Sequence, residues 1–313
     1  MFEAEPDQVV FTMNATHGLN IAIRSLIKKG DRVVVSGFEH NAVLRVLYAI
    51  GAEIVSIPCV LFDQKQALSA YESALTADTK AVIINHVSNV FGFIQPLEQL
   101  SRLCQLRGIP LIIDAAQSAG VLPLSLKQTD AAFIAMPGHK GLYGSAGTGL
   151  LLCKSHSEPL IFGGTGSNSH SMEMPSFLPD RLEAGTQNIP GIAGLLSGIR
   201  FVQELGVSFI ASHELALKEL LVDRLKTLPN LHVFSNKSVQ TGVVSFYSSK
   251  FDCETIAQYL AEQDIAVRAG LHCAPLAHKT AGTFAGGTVR VSFSVHNTAQ
   301  EVEKLFHVLW AYC

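Results

Sequence analysis

Short, strongly apolar runs alternate with amphipathic stretches over the first two-thirds of the chain. Val33–Ser36, Ala81–Ile84, Leu111–Asp114, Ala131–Ile134 and Gly149–Leu152 predict buried strands, and Val9–Phe11 predicts another. Between several of them lie helix-like segments, including a run from Asn14 to about Lys29, His40–Ile50 and Leu97–Arg107. This alternation predicts an α/β domain built on a mainly parallel sheet flanked by helices. A helical stretch over Pro190–Leu205 leads to a different pattern. A long helix over Ser208–Leu228, a strand over Gly242–Tyr247, a helix over Cys253–Gln263, extended runs at Ile265–Ala269 and Thr288–Val295, and a terminal helix predict a smaller α+β domain. The expected division is therefore 1–205 and 206–313.

Composition fits two folded domains. The 313 residues are 48% hydrophobic and 16% charged, with a mean hydropathy of +0.29, enough to bury a large core. A net charge of -3 with no run of Lys or Arg argues against nucleic-acid binding. Charged or glycine residues interrupt every apolar stretch before membrane-spanning length, and the start lacks the basic and apolar regions of a signal peptide. The cysteines are Cys59, Cys104, Cys153, Cys253, Cys273 and Cys313. None forms a CxxC pair, so neither zinc nor a disulfide framework is expected. They read as reduced thiols of a cytoplasmic protein.

Chemistry concentrates at the predicted strand ends. Lys140 sits in the glycine-rich segment Met136-Pro-Gly-His-Lys-Gly-Leu-Tyr-Gly-Ser-Ala-Gly147. A lysine on a tight backbone there is placed to condense with an aldehyde if its pKa is lowered. Asp114 ends a strand where a carboxylate is partly desolvated and wants a cation; the alternative is a helix N-cap. Asn14-Ala15-Thr16-His-Gly18 offers backbone N–H groups and a hydroxyl at a helix start, suited to phosphate or to simple capping. Glu39-His40-Asn41 and His86-Val-Ser-Asn89 add polar groups just past strands, where ligands of such sheets bind. In the second domain, Arg268-Ala-Gly-Leu-His-Cys273-Ala surrounds a thiol with Arg268 and His272, cations that favour the thiolate. Arg290 lies inside a strand pattern and needs an anionic partner, either a substrate carboxylate or an internal acid.

Taken in order, these segments resemble the class V aminotransferase family of fold-type I pyridoxal-phosphate (PLP) enzymes, in particular the cysteine desulfurase and selenocysteine lyase branch. The resemblance covers nearly the whole chain from Val9. It rests on Glu39-His40, His86-Val-Ser-Asn89, Asp114-x-x-Gln117, Gly138-His-Lys140, Glu183-Ala-Gly-Thr186 and Arg268-x-Gly-x-His-Cys273-Ala. It implies that Lys140 carries PLP covalently and that Asp114 pairs with its pyridinium nitrogen. His40 is implied to stack on the ring and act in catalysis. Asn89 and Gln117 are implied to meet the phenolic oxygen or substrate. Ala15, Thr16 and His139 are implied at the phosphate, and Thr186 at the phosphate of the opposite subunit of a homodimer. Arg290 and Arg268 are implied to bind the substrate carboxylate, and Cys273 to take sulfur from L-cysteine as a persulfide and pass it to an acceptor thiol or protein. No metal is implied. Selenocysteine as substrate, or a weakly active PLP-binding member, are the alternatives.

Two departures qualify the resemblance. Family members usually carry roughly sixty further residues before the first strand, so a truncated product is expected. Pro137 stands where many relatives place a phosphate-binding serine, and proline offers neither hydroxyl nor N–H.

Overall fold

The buried strand runs form the centre of a computed structural model that describes residues 1–312; Cys313 lies outside the described residues. The elements follow in the order β1 (Val9–Thr12), α1 (Ala15–Leu26), β2 (Arg32–Val35), α2 (Asn41–Ile50), β3 (Glu53–Ser56), α3 (Gln64–Ala74), β4 (Thr79–Asn85), α4 (Leu97–Arg107), β5 (Leu111–Asp114), α5 (Leu126–Thr129), β6 (Phe133–Pro137) and β7 (Gly149–Cys153). There follow α6 (Ile189–Leu205), α7 (Val207–Leu225), β8 (Leu231–Phe234), β9 (Val243–Ser248), α8 (Cys253–Glu262), β10 (Arg268–Gly270), α9 (Pro275–Thr280), β11 (Thr288–Ser292) and α10 (Ala299–Tyr312).

The first seven strands make one sheet in the order β1-β7-β6-β5-β4-β2-β3. Its pairings are parallel from β6 to β3, and β7 runs against its neighbours. Alternate residues of each strand feed opposite faces. Val33, Val35, Ala81, Ile83 and Ile112 pack on the side of Leu19 and Val43 from α1 and α2. Val34, Val82, Ile84, Leu111 and Ile113 pack on the other side with Tyr71, Leu97 and Leu100 from α3 and α4. With both faces covered, successive positions in the middle of these strands are apolar, which explains the unbroken runs. The missed strand β3 is the sheet edge. Its four residues are exposed or half-buried and begin with a charged Glu53, so no apolar run marks it.

The remaining strands form an antiparallel sheet, β10-β11-β9-β8, over a separate core supplied by α7, α8 and α10. Phe38, Val90, Phe91, Phe93, Ala274 and Ala277 pack together between the two sheets. That cluster ties the segment after Cys273 to the ends of β2 and β4. Among the described residues, no helix is long and apolar enough to cross a membrane, and no His/Cys/Asp/Glu cluster is arranged to hold a metal.

Candidate active site

The carboxyl ends of β2, β4, β5 and β6 open into a cavity of about 310 Å³. Ala15, Thr16, His40, Asn89, Asp114, Gln117, His139 and Lys140 all line it, together with Asn85 and Pro137. Eight of the sequence-predicted residues thus share one cavity at the strand ends of a parallel sheet.

Lys140 lines this cavity and is exposed through its mouth. Its backbone is held by a turn in which Tyr143 N–H donates to the Lys140 carbonyl at 2.9 Å. Partial desolvation lowers the amine's pKa; Asp114 pulls it back and Arg290 adds to the lowering. Asp114 is 5% exposed and accepts from the Ala116 N–H at 2.9 Å. No helix begins there: a turn follows, and the next helix starts only at Leu126. Burial pushes the Asp114 carboxyl up, against the Ala116 N–H, Lys140 and His40. A cation at Asp114 would draw it back to the ionised form.

His40 is the N-cap of α2 and accepts the Ala42 N–H on Nδ1 at 3.0 Å. That bond places the proton of the neutral ring on Nε2, so His40 presents a donor to the cavity. Burial lowers its pKa, with Asp114 opposing and Lys140, Arg45 and Arg290 assisting. Asn14 caps α1 by accepting the His17 N–H at 2.9 Å. This satisfies one of the orphan N–H groups of the helix start, beside Ala15 and Thr16 at the cavity.

A second cavity, about 460 Å³, shares Ala116, Gln117, His139 and Lys140 with the first and brings in Arg290. Arg290 Nη1 donates to the Asn89 carbonyl at 2.8 Å, and its buried Nε has no partner. No Asp or Glu pairs with it among the described residues, so the internal salt bridge is absent and the guanidinium remains available to an anion. Asn89 Nδ2 donates to the His272 carbonyl at 2.8 Å, and Asn41 N–H donates to the Cys273 carbonyl at 2.8 Å. These bonds dock the thiol loop against the start of α2 beside His40. His272 and Cys273 both adopt left-handed backbone, with φ of 51° and 56°, a conformation that costs a non-glycine residue about 1–3 kcal/mol.

A model described as aminotransferase class-V matches residues 1–305. The chain belongs to the aminotransferase class-V family. It is 31% identical to a probable cysteine desulfurase of Methanothermobacter thermautotrophicus, over 98% of this chain and 79% of that one. It is 34% identical to a probable cysteine desulfurase of Haemophilus influenzae, over 96% of this chain and 71% of the relative. The fold superposes on the apo structure of a cysteine desulfurase from Thermococcus onnurineus with a TM-score of 0.90 and 32% identity, covering 99% and 80% of the two chains.

Class V enzymes of this family are PLP-dependent, and the residues present fit that cofactor. A buried carboxylate with no salt bridge among the described residues, Asp114, lines the same cavity as the N-terminus of α1, where phosphate is favoured. Asn89 Oδ1 is buried without a partner in the same wall, ready for a donor such as a phenolic hydroxyl. Pro137 in that wall adds no hydroxyl; Asn14, Thr16 and His139 supply polar side chains to the same cavity.

Three predicted residues fall elsewhere. Thr186 is exposed and lines a separate cavity with Phe11, Met13 and Asn188. Its segment is pinned to β1 by Glu183, whose Oε1 accepts the Phe11 N–H at 2.6 Å. Arg268 is exposed on β10, in register with Arg290, and lines neither cavity. Cys273 is a free, exposed thiol outside both cavity walls. The expectation that His272 supplies a cation to it is corrected here. His272 is buried, its Nε2 lies 3.1 Å from the Thr288 carbonyl, and burial drives its pKa down to about 3, so the ring is neutral. The sequence reading also passed over Glu214 and Tyr143, which line the second cavity. Glu214 lies within a long helix and belongs to no motif.

Proposed function

We propose that this protein is a cytoplasmic cysteine desulfurase that converts L-cysteine to L-alanine and receives the sulfur on Cys273. The observation that carries the reading is the one exposed thiol among the described residues, on a loop bonded to Asn41 and Asn89, which lines the cavity with Lys140 and Asp114. Relatives at 31–34% identity carry the same name.

Bound PLP would supply an electron sink for the pair released at the substrate Cα. The chain's own residues do the rest. Asp114 would present a carboxylate to the positive ring nitrogen, and His40 would lie against the ring. Thr16, Ala15 and His139 would hold the phosphate, and Gln117 and Asn89 would meet the phenolic oxygen or substrate. Arg290, with Arg268 behind it, takes the substrate carboxylate through a bidentate fork. Lys140, its pKa lowered chiefly by desolvation, removes the Cα proton at Nζ. Cys273 Sγ then attacks the substrate sulfur. The Cβ–S bond breaks as the Sγ–S bond forms, its electron pair stays with Cβ, which gains a proton, and Lys140 returns the Cα proton to complete alanine. Atoms and electrons balance without an outside oxidant, and an acceptor thiol or protein later removes the persulfide sulfur.

The reading divides the chain into a PLP-binding domain over 1–205 and a small domain over 206–313, each with its own sheet. It also makes the protein a homodimer in which Thr186 reaches the partner's phosphate. Support comes from exposed apolar side chains near Thr186, Ile161, Phe162, Phe177 and Ile189. The deciding experiment loads the protein with PLP and L-cysteine and measures alanine release against persulfide on Cys273 by mass spectrometry. Equal first-turnover yields are expected; alanine without persulfide, or activity on selenocysteine alone, overturns the reading.

A further inference from the structure

The second cavity holds a group that the reaction above leaves unused. Glu214 of α7 stands in its wall with Lys140 and Arg290. It is only 6% exposed, yet its carboxyl has no hydrogen-bond or ion-pair partner among the described residues. Backbone lies close behind it: a Cβ at Gly242 would stand 2.6 Å from the Glu214 Cβ and 3.1 Å from Oε2. The oxygens are not sealed off but open to the cavity, so a carboxylate that burial strips of most of its water has the cavity's ligand to meet.

The proposed reaction, on which this inference rests, brings in an amino acid as a zwitterion. Its ammonium must lose a proton before the amine can act as a nucleophile and take the place of Lys140. Few groups of the two cavities can take that proton. Arg290 stays protonated. His40 spends its Nδ1 lone pair on the Ala42 N–H and already carries a proton on Nε2. His139 is assigned to the phosphate. Tyr143 has its acidity weakened, first by burial, and its hydroxyl accepts from the Val295 N–H.

We propose that Glu214 docks the substrate ammonium and accepts its proton, so that Arg290 and Glu214 together read the two charges of a zwitterionic α-amino acid. The step balances: the ammonium and the Glu214 carboxylate become a neutral amine and a neutral carboxylic acid, and the proton leaves to water after product release. Burial raises the Glu214 pKa to about 7, suited to such an exchange. The charged or titratable groups sharing its cavity are His139, Lys140, Tyr143 and Arg290. On α7 itself His213 bonds the Asn297 carbonyl and Lys218 the Asn236 carbonyl, so both are turned to other partners.

The test uses the PLP-loaded protein with L-cysteine, and in parallel with L-alanine, which exchanges at Lys140 without sulfur chemistry. In the parent protein, kcat/KM for L-cysteine rises with pH through about 7. Glu214→Gln loads the cofactor normally, lowers kcat/KM about 10²-fold and loses that rise. Glu214→Ala regains rate with added formate or acetate, a readout that a purely structural role does not move. An unchanged rate and pH profile in Glu214→Gln, or a Glu214→Ala variant indifferent to added carboxylate, overturns the proposal. The alanine arm separates the two ideas. A parent protein that exchanges L-alanine but releases no sulfur from cysteine fails the desulfurase reading alone, while loss of that exchange in Glu214→Gln still supports the role of Glu214.

Discussion

Arg290 donates to the Asn89 carbonyl at 2.8 Å, and Asn89 spends its own side-chain N–H on the His272 carbonyl, also at 2.8 Å. One residue past β4 therefore fixes two things in the second sheet: the guanidinium that faces the cavity and the loop that carries the thiol. The carbonyl restrains Arg290 without neutralising it, since a carbonyl carries only partial charge. The guanidinium keeps its full attraction for a carboxylate and loses little rotamer freedom on binding one.

Replacing Arg290 by Lys keeps the charge and removes the fork. A hydrogen bond to a charged group is worth about 1.5–3 kcal/mol, so Arg290→Lys is expected to raise KM for L-cysteine about 10- to 100-fold. Cofactor loading, read from visible absorbance, should not change. Steady-state kinetics beside an absorbance titration checks both, and an unchanged KM refutes the carboxylate role.

Asn89→Ala cuts the bond to His272 and leaves a buried carbonyl without its donor, at about 1–3 kcal/mol. The loop then loses one of its two backbone anchors, the other being the Asn41 N–H on Cys273. Persulfide formation is expected to fall further than cofactor loading. Quenched-flow persulfide measurement against PLP content distinguishes this from general unfolding, which lowers both together.

Glu39 is fully buried, accepts from the Ser36 hydroxyl at 2.6 Å and the Asn85 N–H at 2.7 Å, and leaves Oε2 without a partner. Burial, with Asp114 adding to it, raises its pKa from 4.5 to about 8. A carboxyl whose folded pKa is raised lends stability that is complete below the unfolded value and is lost as pH rises through the folded one. The apparent Tm of the parent protein should therefore decline between pH 4.5 and about 8. Glu39→Gln, neutral throughout, should decline less over that window in paired thermal melts. Parallel declines would show that Glu39 ionises freely in the fold.

What could be read from sequence tracks what burial imposes locally. The strands β2, β4, β5 and β7 are apolar because helices cover both faces, so their positions showed in the residues themselves. Lys140, Asp114 and His40 were legible because chemistry at strand ends obeys short spacings. Glu214 was not, since its setting is made by Gly242 and Tyr143, distant in sequence, and its helix looks like any other. The neutrality of His272 was equally hidden: beside Cys273 it reads as a cation, and only its burial against Thr288 removes the charge.

The Lys140 loop depends on a glycine twenty residues upstream. Gly120 has φ of +85°, and a Cβ built there would stand 1.8 Å from the Gly141 carbonyl oxygen. Neither atom can move without displacing the backbone next to Lys140. A left-handed alanine costs about 1–2 kcal/mol, and the forced shift adds about 1–3 kcal/mol. Gly120→Ala is thus expected to destabilise the protein by about 2–5 kcal/mol and to weaken PLP binding beyond what the fall in stability explains, because the strain is released by moving the Lys140 turn. Gly108, also at positive φ but with nothing within 4 Å of its Cβ position, is the control. Gly108→Ala should cost only the backbone term and leave PLP affinity intact. Urea unfolding with cofactor titration on both variants checks the contrast, and equal PLP affinities would show that the Gly120–Gly141 contact does not set the lysine's position.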